Sequence, residues 1–190
     1  PISLARAVME HSPHVMLVGE GAEQFARTQN LEQVDPSFFF TERRWQQLVA
    51  DLTRRGWPIP PRPVGAPPPP QSLHDDNADS HRFGTVGVVA LDGHGDLAAG
   101  TSTGGTGAKR WGRVGDTPVL GAGTYAQNGV CAVSATGTGE FFIRVGVARD
   151  ICARMQLRHE SAARAARDVF VELDAIHGDG GVIVMDGRGQ

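Results

Sequence analysis

The sequence has little net charge and no long apolar segment, and each of these features excludes a class of protein. The formal net charge is -3, and the lysines and arginines are scattered, so the chain shows no basic surface for nucleic acid or an anionic membrane. The longest apolar stretches fall far short of the roughly 20 residues that a membrane-spanning helix needs. The sequence therefore predicts neither a nucleic-acid partner nor a membrane partner.

Cysteine is also scarce. The two cysteines, Cys131 and Cys152, form no CxxC motif and lie in segments with an apolar pattern, which favours buried free thiols in a reducing compartment. No HExxH motif and no Cys/His cluster is present, and the histidines are dispersed, so no metal or other cofactor is expected. No signal peptide is recognisable, and we expect a cytoplasmic protein, although the first residue is Pro1 rather than Met and leaves an upstream segment open.

Glycine and apolar residues, by contrast, are plentiful. The chain has 190 residues, 40% of them hydrophobic, and contains 25 glycines. This composition is typical of one domain, or part of a larger one, with a packed core and many tight turns.

The first 56 residues carry a mainly helical pattern. Apolar spacing predicts helices over residues 1–10, 20–28 and 41–55, with Thr41 as the N-cap of the third, and a short strand over 14–18. A proline-rich, polar stretch follows over residues 57–84, and we interpret it as a flexible or extended linker. A less favoured interpretation is that the same stretch is a polyproline ligand for a partner domain.

Beyond Gly84 the pattern changes to strands and helices. Residues 85–91 and 96–103 flank a turn at 92–95 and predict a hairpin, and a glycine-rich loop covers 104–115. The remaining elements are strands over 119–125, 130–135 and 182–185, and helices over 140–155 and 161–173. Strands covered by helices predict a layered α/β fold.

Two familiar motifs in this region do not fit their usual context. Residues 100–104 read GTSTG and match GxSxG, but a nucleophile elbow needs a helix directly after the serine, and the glycine-rich continuation does not start one. Residues 104–109 resemble a phosphate loop, but its spacing is wrong and Arg110 replaces the metal-binding hydroxyl. We assign neither motif a role.

The junction between Gly84 and Thr85 is the most informative point of the sequence. The composition changes there, within one peptide bond, from linker-like to core-like. If the bond were cut, Thr85 would carry a hydroxyl nucleophile beside a free α-amine with a pKa of about 7.7–8.0, which can serve as its general base. Taken alone, a β-branched threonine at a strand start is ordinary.

Five short motifs follow that junction in a fixed order. They are TVG at 85–87, TSTGG at 101–105, GRVGDTP at 112–118, GAGTYA at 121–126 and SATGTGE at 134–140. Together with residues 1–6 and 14–23, they resemble the plant-type asparaginases, or isoaspartyl peptidases, of the N-terminal-nucleophile hydrolases. The resemblance covers nearly the whole chain outside the linker.

The resemblance implies a set of catalytic residues. Thr85 is the nucleophile, exposed when the chain cleaves its own Gly84–Thr85 bond. Thr103 hydrogen-bonds the hydroxyl or the amine of Thr85. The Thr136 hydroxyl and the Gly137 N–H form the oxyanion hole, where glycine allows a backbone donor to approach a developing negative charge.

The resemblance also implies the substrate-binding residues. Arg113 grips the α-carboxylate of the substrate, and Asp116 binds its α-ammonium with help from the Gly139 carbonyl. A guanidinium forks onto a carboxylate through two parallel hydrogen bonds, so these residue types suit the task. Without the resemblance, a surface ion pair between Arg113 and Asp116 would be the simpler reading.

The implied fold is a four-layer αββα sandwich, incomplete at both ends. Residues 1–56 would be the C-terminal part of an α-subunit region, 57–84 the linker that ends at the cleavage bond, and 85–190 the N-terminal part of a β-subunit region. Family members extend beyond both ends of this sequence, and a loop outside it holds a structural sodium ion. We therefore expect an internal portion of a precursor, inactive alone, whose cleaved αβ units form a homodimer in the complete protein.

The implied activity is hydrolysis of the side-chain amide of L-asparagine, of β-aspartyl peptides, or of both. One alternative is a glycosylasparaginase-type amidase, but that family has Asp-Thr at its cleavage bond where this chain has Gly84-Thr85. The other is a catalytically silent fragment or paralogue.

Overall fold

The computed structural model describes residues 1–68 and 84–190. These residues divide into two units. One holds most of the chain before the linker together with the loop Thr106–Gly112, and the other holds Pro1–Ile2, the stretch from Gly84 to Gly105 and Arg113–Gln190. Residues 69–83 of the predicted linker lie outside the described part of the chain.

The first unit contains three helices, α1 (Ile2–His11), α2 (Gly19–Thr28) and α3 (Glu42–Arg54), and the short 3-10 helix Pro36–Phe39. The helix predictions are confirmed, including the N-cap of α3, because the Thr41 side chain accepts a hydrogen bond of 3.3 Å from the Arg44 N–H. The predicted strand over 14–18 is wrong. Val15 and Val18 are largely exposed, and the segment forms no strand because none of the described strands pairs with it.

The loop Thr106–Gly112 lies in this unit and contacts it through an arginine that stacks on an aromatic ring. The Arg110 guanidinium lies 3.6 Å from the centre of the Trp57 ring. Residues 57–68 contain neither helix nor strand, as their proline content predicts. The three-part division of the chain stays a prediction.

The second unit contains two antiparallel sheets. The first pairs β1 (Val86–Leu91) with β2 (Leu97–Ser102), and the second has the order β3-β4-β5. The bounds of its strands are Thr124–Gln127, Cys131–Gly137 and Gly180–Asp186. The predicted hairpin over residues 85–103 is confirmed, and the Asp92 carboxylate holds its turn by accepting hydrogen bonds from the N–H groups of His94 and Asp96.

The two sheets pack face to face, and helices cover the far side of the second. The hydroxyls of Thr101 on β2 and Ser134 on β4 lie 2.6 Å apart between the sheets. The helices are α4 (Gly139–Val145), α5 (Val147–Arg158) and α6 (Ala162–Ala175). The largest side chains of the core between sheet and helices are Val133, Phe142, Val147, Ile151, Val169 and Leu173, all fully buried. A layered α/β fold is thus confirmed, with three layers in this unit, and the fourth layer stays a prediction.

Two predicted elements differ from the structure, because the turn before β3 contacts the start of α5. The strand predicted over 119–125 begins only at Thr124, and the helix predicted over 140–155 is interrupted at Gly146, which has a left-handed φ of 69°. At that break, the N–H groups of Ala148 and Arg149 donate to the carbonyls of Ala122 and Gly121, at 3.1 and 2.8 Å. The turn before β3 therefore supplies the acceptors for the first N–H groups of α5.

The two cysteines are both fully buried, as predicted, but they are not free. The structure joins Cys131, at the start of β4, to Cys152 in α5 as a disulfide, with the two Cα atoms 5.7 Å apart. The prediction of free thiols is wrong because the packing of α5 on β4 brings the two residues within disulfide distance.

No helix in the described part of the chain is long and apolar enough to span a membrane.

Candidate active site

The β1–β2 hairpin brings Thr85 and Thr103 together. The register pairs Val86 with Ser102, so the residues just outside that pair face each other. The Thr85 hydroxyl donates to the Thr103 hydroxyl oxygen at 3.2 Å, and the Gly105 N–H donates to the same oxygen at 3.1 Å. The Thr85 and Thr103 hydroxyls therefore form a hydrogen-bonded pair at the end of the hairpin opposite its turn. Gly84, the other side of the predicted cleavage bond, is exposed.

Thr85 and Thr136 line one pocket. Its volume is about 300 Å³, and its walls come from both sheets. The lining residues are Thr85, Gly87, Ser134, Ala135, Thr136, Gly181, Val182 and Ile183. The Thr136 hydroxyl oxygen is buried and has no hydrogen-bond partner. A buried hydroxyl without a partner is uncommon in folded proteins, and this one belongs to a residue that lines the pocket.

Gly137 occupies a position that admits no side chain. A Cβ there would lie 2.3 Å from a ring carbon of Phe142 and 2.4 Å from the Asp179 carbonyl oxygen. The next residue, Thr138, donates to Asp179 through its N–H at 3.0 Å and through its hydroxyl at 2.6 Å. The backbone at the end of β4 is thus held firmly against the start of β5, and close packing alone requires this glycine.

Arg113 makes a bidentate ion pair, but with Glu140 rather than with Asp116. Its Nε and Nη2 atoms each donate to a Glu140 carboxylate oxygen at 2.7 Å. These hydrogen bonds lower the pKa of the Glu140 carboxyl and raise the pKa of Arg113. Sequence reasoning missed Glu140, which ends the motif SATGTGE, because nothing in a linear motif shows which acid meets a given arginine.

Asp116 is a buried carboxylate. It is 6% exposed, and its Oδ2 atom has no hydrogen-bond partner. Burial raises the pKa of this carboxyl, and the positive charge of Arg113 only partly opposes the rise. A Cβ on Gly139 would lie 2.8 Å from Asp116 Oδ1 and 3.0 Å from Arg113 Nη2. The three residues predicted to bind the substrate head group therefore converge on one spot.

The predicted site residues form two groups. Thr85, Thr103 and Thr136 gather at or beside the pocket, while Arg113, Asp116 and Gly139 form a cluster at the start of α4. Gly137 and Thr138 join the two groups along the chain. The roles of these residues stay predictions. In the ranges 1–68 and 84–190, no group of three or more His, Cys, Asp or Glu side chains could hold a metal ion.

Relatives of this chain are enzymes with consistent names. It is 47% identical over 191 residues to an isoaspartyl peptidase of Escherichia coli (strain K12), covering all of this chain and 56% of the relative. It is 44% identical over 206 residues to a putative isoaspartyl peptidase/L-asparaginase of Dictyostelium discoideum, covering all of this chain and 59% of the relative. A plant-type L-asparaginase of Pyrococcus abyssi is 40% identical over 196 residues, again with all of this chain and 59% of the relative covered.

The chain spans less than two thirds of the length of these relatives. A family model described as "Asparaginase" matches residues 1–190, from the first residue to the last. The match includes the predicted cleavage bond and both groups of site residues. The chain therefore belongs to the asparaginase family, as the resemblance of its motifs predicts.

Proposed function

We propose that the protein containing this chain is a self-cleaving amidohydrolase with an N-terminal threonine nucleophile. Its substrates are L-asparagine, β-aspartyl peptides, or both. The observation that carries the proposal is the pocket lined by Thr85 and Thr136, in which the Thr103 contact orients one hydroxyl and the other is buried without a partner. The names of the relatives support the substrate class.

The first step of the proposed chemistry is maturation. The Thr85 Oγ attacks the Gly84 carbonyl carbon, the Gly84–Thr85 C–N bond breaks, and the Thr85 nitrogen takes up the proton and becomes a free amine. An ester between Gly84 and the Thr85 oxygen remains. Water hydrolyses this ester, which leaves a carboxylate on Gly84 and restores the Thr85 hydroxyl.

Substrate turnover repeats the same bond changes on a side-chain amide. The Thr85 α-amine takes the hydroxyl proton while Oγ attacks the amide carbonyl carbon. The Thr136 hydroxyl and the Gly137 N–H stabilise the resulting oxyanion. The leaving nitrogen departs with the proton as ammonia or a peptide amine, and water then hydrolyses the β-aspartyl ester to release aspartate and Thr85.

The cluster of Arg113, Asp116 and Gly139 supplies recognition. A carboxylate and a guanidinium beside each other match the α-ammonium and α-carboxylate of an amino acid. Asp116 suits the cation, because its unpartnered Oδ2 gains a hydrogen bond when an ammonium arrives. The bidentate contact of Arg113 with Glu140 supports this role, because it is the geometry in which a guanidinium binds a carboxylate.

We also propose that the protein acts in the cytoplasm and that its cleaved αβ units associate as a homodimer, the assembly that the resemblance implies. Light scattering on the matured complete protein tests the assembly. A mass of one αβ unit at assay concentration would contradict it.

Self-cleavage is tested in the complete protein. The wild type should yield two chains on a denaturing gel, and N-terminal sequencing of the downstream chain should begin at Thr85. Thr85→Ala should stay as one uncut chain, while Thr85→Ser, which keeps a hydroxyl, should still cleave. A new terminus at Val86, or cleavage in Thr85→Ala, would rule out the scheme. Parallel assays of the matured enzyme on L-asparagine and a β-aspartyl dipeptide then establish the preferred substrate.

A further inference from the structure

A chain of three hydroxyls joins the two sheets in the layer next to the predicted catalytic threonines. Thr101 Oγ1 on β2 lies 2.6 Å from Ser134 Oγ on β4 and accepts a hydrogen bond of 2.6 Å from the Thr124 hydroxyl on β3. We call Thr101, Thr124 and Ser134 the hydroxyl bridge. Ser134 is only 3% exposed, and it lines the same pocket as Thr85 and Thr136.

Two backbone carbonyls of the turn before β3 lie beside the hydroxyl bridge. The Thr124 hydroxyl also lies 3.0 Å from the Thr117 carbonyl oxygen, and the Thr101 hydroxyl lies 3.4 Å from that of Gly123. Apolar contacts between sheets are non-directional and tolerate sliding. Hydrogen bonds require defined distances and angles, so the hydroxyl bridge sets the separation and the lateral register of the two sheets at this point.

Gly87 makes room for this contact. A Cβ at Gly87 would lie 2.1 Å from Ser134 Oγ and 3.0 Å from Ser134 Cβ. Gly87 is paired with Thr101 across β1 and β2, so the missing side chain lies beside the position that Ser134 must reach. The contact with Ser134 therefore requires a glycine at this position of the motif TVG.

The position of the hydroxyl bridge matters because side chains two residues apart on a strand point to the same face, about 7 Å from each other. Each predicted catalytic threonine is two residues from a member of this layer. The pairs are Thr85 with Gly87, Thr103 with Thr101, and Thr136 with Ser134. The nucleophile Thr85 and its partner Thr103 thus belong to one sheet, and the oxyanion donor Thr136 belongs to the other. The hydroxyl bridge joins the two sheets two residues further along these strands.

We propose that Ser134 and Thr101 are positioning residues for the reaction. Their hydrogen bond holds the sheet that carries Thr85 and Thr103 at a fixed separation from the sheet that carries Thr136. The proposal rests on the proposed function. A misplacement of about 1 Å between reacting groups can cost about 10²-fold in rate, so loss of this contact reduces turnover even where the fold persists.

The test uses the complete protein and removes one hydroxyl at a time. Thr101→Val keeps the shape of the side chain, and Ser134→Ala removes only the oxygen. For each matured variant we expect kcat to fall about 10- to 100-fold with KM changed less than about threefold. KM changes little because the substitutions leave the head-group cluster of Arg113, Asp116 and Gly139 untouched. Thr101→Ser, which retains the hydroxyl, should recover most of the kcat.

Val133→Ala is the matched control for a purely structural effect. Val133 is next to Ser134 on β4, is fully buried, and belongs to the core cluster under the helices. This variant should melt at a lower temperature with kcat within about twofold of the wild type, since it leaves the hydroxyl bridge intact. An equal fall of kcat in Val133→Ala would assign the losses in Thr101→Val and Ser134→Ala to general destabilisation and overturn the proposal.

The double variant Thr101→Val/Ser134→Ala tests whether the two hydroxyls act as one contact. If they do, its kcat is no lower than that of the slower single variant. Fully additive losses, or wild-type kcat in both matured single variants, would overturn the proposal. If a variant is still uncut after purification but melts cooperatively, the self-cleavage of its precursor is followed over time. A rate below that of the wild type supports the proposal, because the Thr85 hydroxyl also attacks in self-cleavage. A wild type that neither cleaves nor hydrolyses would instead refute the proposed function.

Discussion

Gly139 has no room for a side chain because of Asp116: a Cβ on Gly139 would lie 2.8 Å from Asp116 Oδ1 and 2.9 Å from the Asp116 backbone nitrogen. The first residue of α4 therefore packs directly on the buried carboxylate that we propose as the ammonium site. This contact couples the position of the helix to the geometry of the head-group cluster.

Gly139→Ala should weaken substrate binding. The added methyl group must displace Asp116 or Arg113, and a lost hydrogen bond to a charged group costs about 1.5–3 kcal/mol, so KM for L-asparagine should rise about 10- to 100-fold. Steady-state kinetics of the matured enzyme measures this. Gly21→Ala in α2 is the control, because a Cβ there meets nothing within 4 Å, and its KM should equal that of the wild type. An unchanged KM in Gly139→Ala would separate this cluster from substrate binding.

Arg113→Ala should spare maturation and impair turnover. Self-cleavage needs no bound amino acid, whereas removal of two hydrogen bonds to a carboxylate should lower kcat/KM about 100-fold or more. The control is Arg144→Ala, an exposed arginine of α4 that lies over the Phe141 ring, which should behave as the wild type. Wild-type kinetics in matured Arg113→Ala would leave Arg113 as the structural partner of Glu140 alone.

Asp116→Asn should raise the free energy of unfolding at neutral pH by on the order of 1 kcal/mol, because it removes a buried charge without a full set of partners. Burial raises the pKa of Asp116 in the folded state, so the folded protein holds its proton at a pH where the unfolded chain has released it. The wild type therefore loses stability as pH rises from the unfolded toward the folded pKa.

Denaturant titrations of the wild type and Asp116→Asn between pH 3 and pH 8 measure this difference. The advantage of the variant should be absent below the unfolded pKa of about 3.9 and complete above the folded one. The same variant should lose most of its activity. A destabilised Asp116→Asn at pH 7 would mean that Asp116 gains more from Arg113 than it loses by burial.

Thr136→Val should lower kcat about 10²- to 10³-fold, the usual effect of losing one oxyanion donor. KM should change little, since the Thr136 hydroxyl has no partner before the oxyanion forms. Thr136→Ser keeps the hydroxyl and should retain most of the activity. A large rise in KM at constant kcat would instead place this hydroxyl in ground-state binding.

Local patterns in the sequence determined much of this protein. The three N-terminal helices, the Thr41 cap, the β1–β2 hairpin and α6 follow from apolar periodicity and turn residues, which act over a few neighbouring positions. The order of the motifs also identified the family and the candidate residues Thr85, Thr136, Arg113 and Asp116, because each motif is contiguous in the chain.

Only the tertiary structure decided what depends on contacts between distant segments. The break at Gly146 depends on carbonyls of the turn before β3, and the pairing of Cys131 with Cys152 depends on how α5 packs on β4. The partner of Arg113 and the hydroxyl bridge between Thr101 and Ser134 likewise join residues about 30 positions apart. Such contacts leave no period in the sequence, since they arise from the registration of whole elements against one another.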